Sequence, residues 1–459
     1  MFRRLKHPLT ALAGALLLTT PWMVAWGTGR AHGLPPLSTV AVSGVGILGA
    51  SFMLAWGAEI AEKDVPRAFA IAVLAVLAVA PEYAVDALYA WNAGAGGATQ
   101  AACAEFTAKQ IESGVTPVAA ACHDANLAVA NMTGANRILI GLGWAGIALF
   151  SIYRTRASED PSIENREGVL TDVVHLDRKI AVEITFLLAA TLFAFTVPLG
   201  GGIGILDTVV LVGIYLLYIA IAVTGEVEEV EEQVGVPAYF HERARAIRVP
   251  VAIALFLFSG FLIYVAVHPF AHGLEELGKG LGIPSFFMIQ WIAPLASESP
   301  ELIVVAYLVN KARSTAGFNA LISSKLNQWT LLIGTLAVVY SIGLGEVSTL
   351  PFDSKQAAEI WITAAQSFFA ISVLVNFSIS GREAVTLLAL FASQVIAEFY
   401  IIQTVPSPRA EELSMLLLDG FAVVYVVLGV ILFALRRGEL MAIASDTQAA
   451  LRGAFERVT

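Results

Sequence analysis

Two short stretches carry the residues that could do chemistry. The first reads Pro81-Glu82-Tyr83-Ala84-Val85-Asp86, the second Ser297-Glu298-Ser299-Pro300-Glu301-Leu302. Inside a helix, proline removes one backbone donor and crowds the carbonyl four residues earlier. Here those carbonyls belong to Leu77 and Ala296. A freed carbonyl in a dry interior is an oxygen ligand, and the glutamate after each proline adds negative charge. Hard cations such as Na⁺ and Ca²⁺ take such ligands. Asp86 lies four residues after Glu82, and Glu298 three before Glu301, so each motif shows a second carboxylate on the same helical face. The chemistry offered is the binding of an inorganic cation. No nucleophile elbow, phosphate loop or metal-type Cys or His spacing occurs, so the chain reads as no enzyme and needs no cofactor.

The elements that must position these residues are membrane helices. The chain has 459 residues, of which 57% are hydrophobic and 14% charged, with a mean hydropathy of +0.75. A soluble protein carries about 25% charged residues. Apolar runs of about 20 residues recur along the whole length, so the chain is all-α and its main partner is the lipid bilayer. Twelve spans are predicted: 8–27, 38–61, 66–91, 126–153, 179–199, 204–224, 249–267, 285–310, 317–342, 357–379, 383–404 and 414–435. With the N-terminus inside, the inner segments hold 20 Lys and Arg and the outer ones 5, a bias that sets the orientation. Both termini are then cytoplasmic, and a bacterial inner membrane is the expected setting. The first run reads as a retained helix rather than a signal peptide, because it is long and Ala31-His32-Gly33 is a weak cleavage site. The loop 92–125 is external, where an oxidising compartment permits a Cys103–Cys122 disulfide. The net charge of −10 excludes nucleic acid as a partner. The remaining two basic residues, Arg137 and Lys325, fall inside spans, where a charge needs a partner or water.

Aligning Pro81 with Pro300 exposes an internal repeat. Each proline helix is followed by a partner that starts polar, Asn126 to Asn136 and Asn319 to Gln328, and then turns apolar with glycine. The span 66–91 runs outward and 285–310 inward, so the copies are inverted, an arrangement of transporters with sites on broken helices at the midplane.

Ala80-Pro81-Glu82 and Ser299-Pro300-Glu301-Leu302 resemble the two Pro-Glu signatures of the sodium/calcium exchanger family, within the cation/Ca²⁺ antiporter superfamily. Ala130-Asn131-Met132-Thr133-Gly134-Ala135-Asn136 is similar to that family's Gly-Asn-x-x-Gly-Ser-Asn segment. The resemblance implies an inverted-repeat exchanger fold with a ten-helix core over 38–404. It implies a first repeat over 38–224, an acidic cytoplasmic loop over 225–248 and a second repeat over 249–404. Residues 1–37 and 405–459 would each add a helix, the latter with a cytoplasmic tail. An extra N-terminal helix and an acidic central loop also resemble the superfamily's Ca²⁺/H⁺ exchangers.

Carried over residue by residue, the resemblance makes Glu82 and Glu301 the paired cation ligands. Asp86, Glu298, Ser297, Ser324, Gln328, Asn131 and Asn136 complete the candidate cation-binding set. The family has a hydroxyl residue where Glu298 stands, and an asparagine where Lys325 stands. On the first partner helix two registers fit. Anchoring on Asn131 puts Ala135 and Leu139 at ligand positions; anchoring on Gly143 puts Thr133 and Arg137 there. Lys325 and Arg137 are expected to modify the site, Lys325 by pairing with a site acid until an entering cation displaces it, or both by a purely structural pairing. Glu59, Glu183, Asp207, Glu359, Glu398 and Asp419 are further acids in the spans, several of them near span ends where water reaches. The function implied is alternating-access antiport of Ca²⁺ or another cation against Na⁺ or H⁺. A monovalent-cation/proton antiporter with Lys325 filling one cation place is the alternative; a non-transporting scaffold or sensor is the alternative of another class.

Overall fold

The computed structural model describes residues 7–64, 80–155, 160–224 and 235–458. Among them, 10 helices are long and apolar enough to cross a membrane, and 11 if the bent helix Ser285–Asn310 counts as one span. These match eleven of the twelve predicted spans. The twelfth, 66–91, lies partly outside the described residues, and the carbonyl of Leu77 and the acids Glu226, Glu228, Glu229, Glu231 and Glu232 of the loop 225–248 lie wholly outside them.

The helices are α1 (Pro8–Gly27), α2 (Pro36–Glu62), α3 (described over Ala80–Ala95), α4 (Pro117–Ile138), α5 (Ala145–Thr155), α6 (Ala181–Ala194), α7 (Ile205–Thr224) and α8 (Arg245–Leu281). They continue as α9 (Ser285–Asn310), α10 (Ser314–Asn327), α11 (Ile333–Leu344), α12 (Ser354–Leu374), α13 (Gly381–Thr404), α14 (Arg409–Leu435) and α15 (Arg437–Val458). Two were predicted too short. α4 begins at Pro117 rather than 126, because Thr116 caps it and Pro117 occupies its first position, where a missing donor costs nothing. α8 continues to Leu281, well past 267.

Two compact units divide the chain, Met1–Leu88 with Ile219–Pro300, and Tyr89–Tyr218 with Glu301–Thr459. In the first, α1 and α8 pack on α2 through small residues. A Cβ on Gly49 would meet the Ala15 carbonyl at 2.6 Å, so only glycine admits this approach. Beside the end of α2 and the start of α8, the short helix Val236–His241 inserts Val236 and Phe240 into a cluster with Ala15, Met53, Ile60, Ala252 and Leu255. Arg248 grips Asp64 there with two hydrogen bonds, of 2.6 and 2.7 Å.

In the second unit, α4 and α5 are joined by a π-helical segment, Leu139–Trp144, and α10 and α11 by another, Gln328–Leu332. α3 and α11 cross at a glycine pair: a Cβ on Gly94 would meet the Tyr340 carbonyl at 2.2 Å, and one on Gly343 the Trp91 carbonyl at 2.7 Å. Cys103 and Cys122 are joined as a disulfide.

Two small sheets reveal the inversion residue by residue. Strand β2 (Val173–His175), just before α6, pairs with β5 (Ser378–Ser380), between α12 and α13; β1 (Ile163–Glu164) adds to β2's other edge. Strand β3 (Gly202–Ile203), between α6 and α7, pairs with β4 (Leu350–Pro351), just before α12. Val174 faces Ile379 and Leu350 faces Ile203. Leu350 lies 176 residues after Val174, and Ile379 lies 176 after Ile203. The pairs are one contact repeated with the halves exchanged. The helix starts that follow obey the same spacing. Gly204 donates its N–H to Asp207 Oδ2, and Ser380 donates its N–H to Glu383 Oε2, both at 2.8 Å. Asp207 is therefore a cap for α7, since a carboxylate there satisfies an orphan donor.

The Arg248 guanidinium hydrogen-bonded to Asp64 holds that carboxyl below the usual carboxylate range. Asp64→Asn should cost about 1 kcal/mol at neutral pH, the upper end for an accessible ion pair. Because the folded carboxyl titrates below the unfolded one, the gap persists above the ordinary Asp value of about 3.9 and shrinks as pH falls through it. Thermal unfolding of both proteins in detergent, at neutral pH and at about pH 3, checks this; an equal gap at both would refute it.

Candidate cation-binding site

The candidate residues belong to the two units, and each unit is described by itself. In the first, α3 carries Glu82 and Asp86, which are 3% and 0% exposed. The first part of α9 carries Ser297 and Glu298, both buried. The Ser297 hydroxyl turns back to the carbonyls of Ala293 and Pro294, at 3.4 and 3.3 Å. The helix bends between Ser299 and Glu301, where the sequence places the proline break.

In the second unit, Ser324 on α10 donates its hydroxyl to Glu301 Oε2 at 2.9 Å. This bond orients the Glu301 side chain toward α10. One residue on, Lys325 is fully buried and donates to Asn136 on α4, to Oδ1 at 2.8 Å and to the backbone carbonyl at 3.2 Å. Its ammonium also lies 4.4 Å from the centre of the Trp329 ring, a cation–π contact. Asn136 is held in turn by its own amide, which donates to the Met132 carbonyl at 2.9 Å. Asn131 and Gln328 are buried, with Gln328 opening the second π-segment.

This geometry separates the two registers left open by the sequence. The π-segments begin at Leu139 and Gln328, 189 residues apart, and the touching residues Asn136 and Lys325 are also 189 apart. Equivalent positions of an inverted repeat that meet must lie beside its axis. The spacing favours the anchor on Asn131, which pairs Ser324 with Ala135 and Gln328 with Leu139.

Arg137 takes a different direction from Lys325. It is 1% exposed and forms an ion pair with Glu359 on α12 at 2.5 Å, while its other terminal nitrogen donates to Gln394 on α13. Gln394 donates to Glu398 at 2.8 Å, and Glu398 pairs with Lys355 at 3.0 Å and accepts from Ser414 on α14 at 3.2 Å. Glu359 and Glu398, two of the further acids in the spans, are both 0% exposed. Both carboxyl groups are buried among cations and amides, since an ionisable group inside a bilayer needs a partner. Sequence reasoning flagged Arg137 and the two acids separately; their joint placement is the signal it lacked.

The sodium/calcium exchanger protein family matches residues 36–224 and 251–400. The chain belongs to the sodium/calcium exchanger family. It is accordingly a multi-pass membrane cation antiporter and not an enzyme. This exchanger is similar to a solved structure described as the H⁺/Ca²⁺ exchanger CAX, with 38% identity over 97% of this chain and 98% of that one, and a TM-score of 0.81. A structure described as the Ca²⁺/H⁺ antiporter protein YfkE shares the fold, with 14% identity over 86% of this chain and 99% of that one, and a TM-score of 0.55. A comparison of the exchanger with curated proteins found no match.

Replacing Glu359 by Gln removes the carboxylate from a buried guanidinium and should destabilise the exchanger by about 3–5 kcal/mol. The double variant Arg137→Leu, Glu359→Leu should recover most of that, because an apolar pair is often as stable as a buried ion pair. Thermal unfolding in detergent measures both, and a double variant no better than the single one would refute the pairing's role.

Proposed function

We propose that this exchanger moves Ca²⁺ against H⁺ by alternating access, with Glu82, Asp86, Glu298 and Glu301 as the carboxylates that serve the cation. The observation that carries the reading is Lys325. Its ammonium sits on two oxygens of Asn136, one residue from the serine that orients Glu301. A resident positive charge occupies space and oxygen ligands that a set of several Na⁺ ions would need. One divalent ion exchanged for protons places fewer demands on the site. Carboxylates supply the coupling directly. Ionised, they offer a hard dication its preferred oxygens; protonated, they lose the charge that holds it. Ca²⁺ and H⁺ therefore compete for the same groups, and each returns the site to a state the other can use.

Identity of 38% to a structure described as an H⁺/Ca²⁺ exchanger, across nearly the whole chain, supports the same ion pair. Asn131, Asn136, Ser297, Ser324 and Gln328 supply neutral oxygens to the set. The excess of Lys and Arg on one side supports cytoplasmic termini.

Purified protein in vesicles loaded with ⁴⁵Ca²⁺ tests the reading under a pH gradient and, separately, a Na⁺ gradient. Efflux is expected with the pH gradient and not with the Na⁺ gradient. Glu82→Gln and Glu301→Gln should each abolish it, and flux surviving both substitutions would refute the site. Lys325→Asn and Lys325→Ala should alter ion selectivity or pH dependence; if both leave these unchanged, Lys325 takes no part in coupling.

A further inference from the structure

α8 is longer than a membrane needs. It has 37 residues, about 55 Å at 1.5 Å each, whereas a bilayer core takes about 20 residues. Its last turns carry His272, Glu275, Glu276 and Lys279, with Glu276 and Lys279 bridged at 2.8 Å. This polar end projects beyond the apolar span 249–267, on the external side by the orientation above. His268 and His272 are the first polar residues past that span.

One face of this stretch is packed on α2. A Cβ on Gly44 would meet the Phe270 ring at 2.9 Å, and one on Gly273 would meet Val40 at 3.1 Å. The two histidines take another face. Both are exposed, and their rings are nearly parallel, 8° apart in plane with centres 6.4 Å apart. Histidines four residues apart on a helix share a face and can chelate one metal ion. Exposed side chains change rotamer readily. Rotating these two lets a nitrogen of each reach one ion at the usual Zn–N distance of about 2.0–2.1 Å. Imidazole suits late first-row transition metals such as Zn²⁺, whereas Ca²⁺ takes oxygens. The pair therefore offers the transported cation little. Glu276, one turn further on, interacts electrostatically with His272 and adds negative charge near the pair. Among the described residues no group of three or more His, Cys, Asp and Glu could hold a metal ion, so the site is a two-histidine chelate completed by water.

Pro269 stands between the histidines, inside the helix. It has no N–H to donate to the Val265 carbonyl, so the helix lacks one rung there, and such a gap is where a helix bends. An ion held by residues 268 and 272 stiffens the turn that contains the gap. Alternating access moves one bundle of helices against another, and α8 is the long helix packed on α2. We propose that His268 and His272 form an external site for a late transition-metal dication, and that the ion braces α8 around Pro269 and slows exchange. The inference rests on the orientation and the Ca²⁺ reading above, and not on the choice of H⁺ as counter-ion.

Calorimetric titration of the purified, Ca²⁺-saturated exchanger with Zn²⁺ at neutral pH tests the site. The wild type should bind one Zn²⁺ that His268→Ala and His272→Ala each weaken by about a hundredfold, the low end of what linking two contacts gains. Unchanged Zn²⁺ affinity in both variants would overturn the site. ⁴⁵Ca²⁺/Ca²⁺ exchange in right-side-out vesicles tests the brace. External Zn²⁺ should slow it several-fold in the wild type and leave both variants unaffected. Equal slowing in all three would overturn the brace and mark competition among the carboxylates instead. Slowing by Zn²⁺ from the inner face alone would overturn the external placement. A wild type that binds Zn²⁺ as expected yet exchanges no Ca²⁺ would overturn the Ca²⁺ reading while upholding the metal site.

Discussion

A charge buried at the centre of a bilayer costs on the order of 2.5–3.5 kcal/mol on insertion scales before any partner answers it. Arg137 and Lys325 both carry that cost, on α4 and α10. Their partners come from other helices: Arg137 reaches α12 and α13, and Lys325 reaches α4. The helices cannot pack with these charges unanswered. The cross-links between halves are thus a condition of folding as well as features of a site.

The inverted repeat makes such cross-links available in pairs. β2 joins β5 and β3 joins β4, so each half completes a sheet with the other. These short ladders set the register of α6 against α12 and bring Glu183 and Glu359 to equivalent places. One frame then carries two different contacts: a guanidinium lies against Glu359, and a phenol donates to Glu183.

Much of this was legible in the sequence. Long apolar runs separated by charged loops set the spans, because lipid admits few alternatives to a helix. The Pro-Glu motifs stood out because two prolines and four acids inside apolar helices are costly without a role. The pairing of Glu183 with Glu359 was not legible, since the residues around them are interchangeable aliphatics and their neighbours, Tyr218 and Gln394, differ in chemistry. Only the strand register aligns them. The burial of Glu359 and Glu398 was not legible for a related reason. Their positions along the spans do not say whether water reaches them; in the fold, α14 and the α13 amide close over Glu398. The register of the first partner helix stayed open because glycine and asparagine anchors disagreed by two residues. The π-segments resolve it in favour of the asparagine.

That resolution bears on how the site acquired its positive charge. Positions 136 and 325 are equivalent and touch, so they lie beside the axis relating the halves. Family resemblance places an amide at both. Two facing amides can share one hydrogen bond and still offer oxygens to a cation. Replacing one amide by lysine turns that pair into a donor held by both oxygens of its counterpart. Trp329 presents a ring face to that ammonium. It removes one set of neutral oxygens and adds a fixed charge in the same step. In the proposed Ca²⁺/H⁺ exchange, a single substitution at an axial position therefore changes what both halves can bind, whereas the same substitution on an outer helix would alter only one.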